Sequence, residues 1–327
     1  MAEEQNAHQA RRSRAEVLRM AAWRALPNVA RNGARTRVGS PRTAFVLSGG
    51  GNQGVAQVGM LRAVLERGIV PDVVIGTSAG ALNGAAVAYA PNLTGVAQLD
   101  AVWTALTAAE VFPGSRLSRA WNLMRRETYL FEATGLDTLV DRATPARSFA
   151  DLAVPLRVIA TDLDTGEEVV FARGPLKPAL LASAALPGVF PIVEHDDRRL
   201  VDGGVVDSVP LWHALAEPVD RVIVFNVSAG AADREERSPL DVVMTSFMHS
   251  RSQRFELEMR NVPADVQIVV LPRPSDTREL FDFAGGRALI DEAYRVASAE
   301  LDRVAALDAG RPRKRFRRQS ATESVAN

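Results

Sequence analysis

The stretch Gly76-Thr77-Ser78-Ala79-Gly80 sets one serine between two glycines. Before it runs Val73-Val74-Ile75, an apolar β-branched strand; after it Ala81 to Ala90 suits a helix. A sharp strand-to-helix turn would crowd the Cβ atoms beside such a serine. Gly76 and Gly80 remove them, so the Oγ projects above a sheet at a helix N-terminus, with Thr77 and Ala79 completing the elbow. Upstream, Ser48-Gly49-Gly50-Gly51-Asn52-Gln53-Gly54 links a strand, Ala44 to Leu47, to a helix, Val55 to Gly68. Its Gly49-x-Gly51-x-x-Gly54 pattern lets backbone N–H groups converge as a nest for an anion or a developing oxyanion. In an open α/β sheet both turns lie at the carboxyl ends of the strands, side by side. A nucleophile next to an oxyanion site is the minimum kit for acyl transfer.

Each signal has other uses. A lone G-x-G-x-x-G also opens dinucleotide-binding folds, but those end their second strand in an acidic residue. Here that strand ends in Gly76-Thr77-Ser78, and the absence of G-K-[ST] excludes a P-loop. Asp202-Gly203-Gly204 read alone is a hairpin turn. With Arg199-Leu200-Val201 leading in and Val205 to Leu211 leading out toward a helix, Asp202 instead stands at a strand end, within reach of Ser78. Asp162 and Asp164 could suggest a metal, but Asp162-Leu163-Asp164-Thr165-Gly166 reads more simply as a turn with side-chain caps.

The rest of the chain must position these groups. Its 327 residues, 47% apolar, allow one large domain or two small ones with a sizeable core. There is no cysteine, hence no disulfide, thiolate metal site or cysteine nucleophile, and the histidines are His8, His195, His213 and His249. Residues 92–150 read as helices over Val96 to Glu110, Arg116 to Arg126 and Gly135 to Asp141. Trp103, Phe112, Trp121, Leu123, Met124, Tyr129, Leu130 and Phe131 concentrate there, either as a cap over an acyl-chain groove or as ordinary helix packing. Next come a strand at Leu156 to Thr161, a hairpin to Glu168–Phe171, a helix at Pro178 to Ala184 and a stiff loop from Leu186 to Pro191. Strands at Arg221 to Phe225 and Val266 to Leu271, with helices at Leu240 to Arg260 and Ala288 to Ala306, complete an α/β chain. The expected fold is a central, mostly parallel sheet flanked by helices. Val73 to Ala90 is uncharged, but Gly76, Ser78, Gly80, Asn83 and Gly84 mark it as a buried strand plus small-residue helix, not a membrane span.

Charge is uneven within an overall balance of zero. Residues 1–43 carry nine Arg and three Glu, residues 309–327 five Arg, one Lys and one Glu, so the middle is strongly acidic. This divides the chain into a basic, partly helical arm (1–42), a globular domain (43–308) and a basic disordered tail (309–327). Residues Arg14 to Leu26, with Trp23, suit a basic amphipathic helix. Such a helix can contact an anionic membrane peripherally or dock on the chain's own acidic body, and the tail can contact phosphate or simply solubilise. The N-terminal arm has no uninterrupted apolar stretch of the kind that marks a secretory signal. The expected location is cytoplasmic, with peripheral contact at the inner membrane surface as an option, and no nucleic-acid partner is expected.

Together these residues resemble the patatin-like phospholipases, the bacterial patatin-like acyl hydrolases. The Gly49–Gly54 loop, Gly76-Thr77-Ser78-Ala79-Gly80 and Asp202-Gly203-Gly204 match in kind, order and approximate separation. So does Ser183-Ala184-Ala185-Leu186-Pro187-Gly188-Val189-Phe190-Pro191, and the similarity covers roughly residues 42–307. The resemblance implies a patatin-like three-layer fold and hydrolysis of lipid acyl esters, phospholipase A-like or lysophospholipase-like, by a Ser–Asp dyad without histidine. Ser78 maps onto the nucleophile and Asp202 onto the base. Gly49, Gly50, Gly51, Asn52, Gln53 and Gly54 map onto the oxyanion loop, and Gly203 and Gly204 complete the Asp-Gly-Gly turn. The scheme needs a lipid or fatty-acyl ester as substrate, no cofactor and no metal. One departure is Gln53, where the family often has Arg or Lys; it removes a fixed positive charge and makes acyl-ester hydrolysis in general the firmer expectation than strict phospholipid preference. Two alternatives are an α/β-hydrolase-type Ser-Asp-His triad using His213 or His249, and a lipid- or acyl-binding module that is catalytically weak or inactive.

Overall fold

The computed structural model describes residues 41–114, 128–228, 253–275 and 282–309, with Val242 and Ser246. Apart from Pro41, Arg42 and Ala309, the two basic arms lie outside the described residues, as do the helix expected over 116–126 with Trp121, Leu123 and Met124, His249, and much of the helix expected from Leu240.

Strand β1 (Thr43–Leu47) leads through a 3-10 turn (Gly51–Gln53) into helix α1 (Gly54–Glu66). Strand β2 (Val73–Thr77) leads directly into α2 (Ala79–Tyr89). Every residue of β1 and β2 is buried, the signature of strands covered on both faces. A helical stretch follows: α3 (Leu93–Ala105), α4 (Ala108–Val111) and α5 (Thr134–Ala143). Strands β3 (Leu156–Asp162) and β4 (Glu168–Phe171), helix α6 (Leu176–Ala184), and strands β5 (Val193–His195) and β6 (Arg198–Asp202) come next. The chain then forms α7 (Leu211–Leu215), β7 (Arg221–Phe225), a helical run over residues 253–259, β8 (Gln267–Leu271) and α8 (Gly286–Ala309).

The sheet runs β5-β6-β3-β2-β1-β7-β8, with β4 also paired to β3. From β3 to β8 all neighbours are parallel; β4 and β6 join β3 antiparallel. Alternate strand residues face opposite layers. Phe45, Leu47 and Val74 pack with α1, α2, α3, α5 and α8, whereas Ala44, Val46, Val73 and Ile75 pack with Leu211, Phe255 and Met259. The fold is therefore three-layered, as expected.

Two local differences have clear causes, and one expected turn forms as read. The helix expected over Val96 to Glu110 breaks in two, because Leu106 is extended and Thr107 starts a capping box with Glu110. The β5–β6 hairpin was missed; its tip, Asp196-Asp197, takes positive φ at both residues, a two-residue turn with no glycine to announce it. Asp162 caps its turn: Oδ1 accepts from the N–H of Asp164 at 3.0 Å and of Thr165 at 3.3 Å, while Asp164 pairs with Arg199. The metal reading of that pair has no support.

Candidate active site

Ser78 sits between the end of β2 and the start of α2, with φ 56° and ψ −126°. A side chain other than glycine is rarely held there, at a cost of order 1–3 kcal/mol, and surrounding contacts must enforce it. Three do. The Ser78 N–H donates to Ser183 Oγ at 2.9 Å, the Ala81 N–H donates to the Ser78 carbonyl at 2.8 Å, and Thr77 Oγ1 donates to the Asp207 carbonyl at 2.9 Å. The tightness is visible at Gly80, where a Cβ would stand 2.3 Å from the Leu47 carbonyl oxygen.

Asp202 ends β6 and faces the serine. Ser78 Oγ donates to Asp202 Oδ2 at 2.6 Å, and both residues are buried. The carboxylate is fixed by its own turn, since the Gly204 N–H donates to Oδ1 at 2.7 Å. Its backbone is fixed as well: Thr161 Oγ1 donates to the Asp202 carbonyl at 3.0 Å and the Asp202 N–H donates to the Ala185 carbonyl at 2.9 Å. Gly203 lies so close to β3 that a Cβ would be 2.2 Å from the Ile159 carbonyl oxygen.

The glycine loop lies beside this pair. Gly49, Gly50, Gly51, Asn52 and Gln53 line one cavity with Ser78 and Asp202. Not all of its N–H groups converge. That of Gly49 donates to the Ser208 carbonyl at 2.8 Å, that of Gln53 to the Gly50 carbonyl at 3.0 Å, and Gly54 already belongs to α1. Gly51 has φ +56°, the left-handed region that favours glycine. Gln53 is buried, and among the described residues its Nε2 has no hydrogen-bond partner.

Beneath the loop lies a polar chain that sequence reasoning missed. Trp103 Nε1 donates to Asn83 Oδ1 at 2.7 Å, and Asn83 Nδ2 donates to Gln57 Oε1 and to the Gly54 carbonyl, both at 2.8 Å. Gln57 Nε2 in turn donates to the carbonyls of Ser48 and Phe225. Buried amides fully paired in this way hold the loop at a set height above the sheet. Asn83 in an otherwise small and apolar helix was the one sequence signal for it.

Beyond Ser78 the cavity walls are apolar, built from Leu82, Trp103, Phe112, Leu139, Phe190 and Phe283. Phe112 organises the far end, its ring centroid 5.1 Å from Phe131, 5.5 Å from Phe190 and 6.1 Å from Phe283. Of the aromatic residues expected to cap a groove, Trp103 and Phe112 line it. Of the two histidines considered for a triad, His213 is placed elsewhere, and His249 lies outside the described residues. His213 Nε2 lies 2.9 Å from Glu168 Oε2, and the Ser78 hydroxyl is bonded to a carboxylate. This arrangement can pass the serine proton to Asp202, accept charge on loop N–H groups, and hold an apolar chain alongside.

Residues 45–215 match the sequence profile described as patatin-like phospholipase. An uncharacterized NTE family protein of Mycobacterium tuberculosis is 33% identical over 221 residues, which cover 67% of this chain and 59% of that protein. Patatin-like phospholipase domain-containing protein 7 of Rattus norvegicus is 31% identical over 195 residues, 59% of this chain and 14% of the relative. The chain thus spans less than two thirds of these relatives' length. Among solved structures, VipD from Legionella pneumophila superposes with a TM-score of 0.45 at 14% identity, covering 80% of this chain and 67% of that one.

Proposed function

The chain belongs to the patatin-like phospholipase family, and from that premise we propose that it is a serine acyl hydrolase cleaving lipid acyl esters with Ser78 as nucleophile and Asp202 as general base. The observation that carries this reading is the 2.6 Å hydrogen bond from Ser78 Oγ to Asp202 at the mouth of an apolar groove.

In the proposed cycle Asp202 takes the hydroxyl proton as Ser78 Oγ attacks the ester carbonyl. The N–H groups of Gly50 and Gly51 receive the oxyanion, and the buried Nε2 of Gln53 supplies a neutral side-chain donor beside them. The protonated Asp202 then gives its proton to the departing alcohol or lysolipid, leaving an acyl-Ser78 ester. Water, deprotonated by Asp202, attacks that ester and releases the fatty acid and the free serine. The apolar walls favour a fatty-acyl chain, and the scheme uses no metal or cofactor.

Hydrolysis of a series of p-nitrophenyl esters, short to long, by the parent and by Ser78→Ala tests the proposal. Serine-dependent turnover with a chain-length optimum is expected. A folded parent that turns over none of them and resists a serine-reactive phosphonate would replace it with the lipid-binding reading.

A further inference from the structure

A partly buried ion cluster, with Asp207 and His213 at its buried end, lies against the sheet face opposite Trp103 and Phe112, on the side packed by Phe255 and Met259. Arg254, in the helical run 253–259, is its centre. Its guanidinium lies 2.5 Å from Glu168 Oε1 and 3.3 Å from Asp207 Oδ2, and Nε donates to Glu258 Oε1 at 2.9 Å. His213 Nε2 approaches the same two carboxylates, Glu168 at 2.9 Å and Asp207 at 3.9 Å. Glu168, Asp207 and His213 bring their ligand-type atoms within 4.8 Å of one another, as a metal set would, but the Arg254 guanidinium already serves as the cation of this space.

What the cluster grips is the segment Val206–Ser208. Arg254 Nη1 donates to the Val206 carbonyl at 3.1 Å, and its charge holds the Asp207 side chain, which is 1% exposed. Each loop of the site described above is bonded to this segment. Thr77 Oγ1, next to Ser78, donates to the Asp207 carbonyl; the Asp207 N–H donates to the Gly203 carbonyl at 2.8 Å; and the Gly49 N–H donates to the Ser208 carbonyl at 2.8 Å. Glu168 adds a further link, since it stands opposite Thr161 in the β3–β4 register and Thr161 holds the Asp202 carbonyl.

We propose that Arg254, acting through Asp207, is a positioning residue that holds the Ser78 elbow, the Asp202 turn and the glycine loop in one register. The proposal rests on the serine-hydrolase reading of that site. Buried ion pairs are weak contributors to net stability and are often replaceable by apolar side chains of similar size. An ion cluster tied to three loops of one site has a geometric use instead: a misplacement of about 1 Å among reacting groups can lower a rate on the order of a hundredfold.

The test is inactivation of the full chain by a long-chain alkyl fluorophosphonate, with the maximal rate (kinact) and half-saturating concentration (KI) measured beside thermal melting. Arg254→Met should lower kinact by roughly tenfold or more with KI within about twofold, because the acyl groove is on the other face of the sheet. Arg254→Lys, which keeps the charge, should recover most of that loss. A folded Arg254→Met with the parent's kinact would overturn the proposal. Should Arg254→Met fail to fold, Asp207→Asn decides: a reduced kinact at a parent-like melting temperature supports the proposal, and an unchanged kinact overturns it. A parent that the phosphonate does not label at all removes the hydrolase reading and this proposal with it. A labelled parent with unaffected variants removes this proposal alone.

Discussion

Ser183 and Ser78 are joined by a bond that fixes backbone rather than side chain: the Ser183 hydroxyl accepts the Ser78 N–H at 2.9 Å and donates to the Ile159 carbonyl at 2.5 Å. One buried oxygen thereby ties the strained elbow to β3, the strand that also borders the Asp202 turn. Ser183→Ala should leave two buried backbone groups unpaired and lower stability by about 1–3 kcal/mol. It should also slow phosphonate labelling of Ser78, since of the three contacts that hold the elbow only this one binds the Ser78 N–H. Urea unfolding and labelling kinetics on the same preparation check both effects; a stable variant labelled at the parent rate would show that the elbow holds itself.

Ser78→Ala and Asp202→Asn separate chemistry from folding. Neither changes side-chain volume much, and the amide oxygen introduced by Asp202→Asn can still accept the Gly204 N–H. Both should melt near the parent temperature and lose roughly a thousandfold or more in kcat. Retention of full ester turnover by either variant would refute the dyad.

Gly51→Val tests the loop. With φ +56° at this position, a β-branched residue should cost on the order of 1–3 kcal/mol or displace the loop. Activity should fall far more than helix content, comparing ester hydrolysis with far-ultraviolet circular dichroism. Activity at the parent level would mean that Gly51 does not shape the oxyanion site.

The ion cluster also predicts how stability depends on pH. Burial, reinforced by neighbouring carboxylates, pushes Asp207 up to about 6 and Glu258 up to about 7. For Glu168 burial acts upward too, but His213 and Arg254 outweigh it and hold the group at about 2. Burial acts downward on His213, but the hydrogen bond and charge of Glu168 together with the charge of Asp207 more than offset it, so its pKa is raised. Acids with raised folded-state pKa values bind protons more readily when folded, so their effect weakens the fold as pH rises from about 4 to about 7. Protonated His213 contributes in the same sense, its stabilisation being lost as pH rises through its folded pKa. Glu168 works oppositely, its contribution being lost as pH falls from about 4.5 toward 2. Stability should therefore peak near pH 4, where these opposing proton uptakes balance, and decline toward pH 8. Glu258→Gln should flatten that decline by on the order of 2 kcal/mol, read from denaturant unfolding at several pH values. An equally steep decline in Glu258→Gln would assign the dependence elsewhere.

Much of this protein was legible in the chain because its signals are local. Short apolar stretches such as Phe45–Leu47 and Val73–Ile75, each followed by a glycine turn, suit strands covered on both faces. Gly76 and Gly80 mark a turn without room for Cβ atoms, and the order Gly49–Gly54, Ser78, Asp202 fits the family. Those features determined the class of fold and which serine and aspartate to consider. Tertiary structure decided what no neighbour in sequence announces. Ser183 reaches Ser78 across 105 positions, and Gln57 reaches the Phe225 carbonyl across 168. Arg254 meets Glu168 and Asp207 only because β4, the turn after β6 and the helical run 253–259 converge on one face of the sheet. Buried polar partners of this kind leave no periodic trace, since any Ser, Gln or Arg reads alone as a surface residue. Their pairing exists only once the sheet order brings distant segments within hydrogen-bond distance.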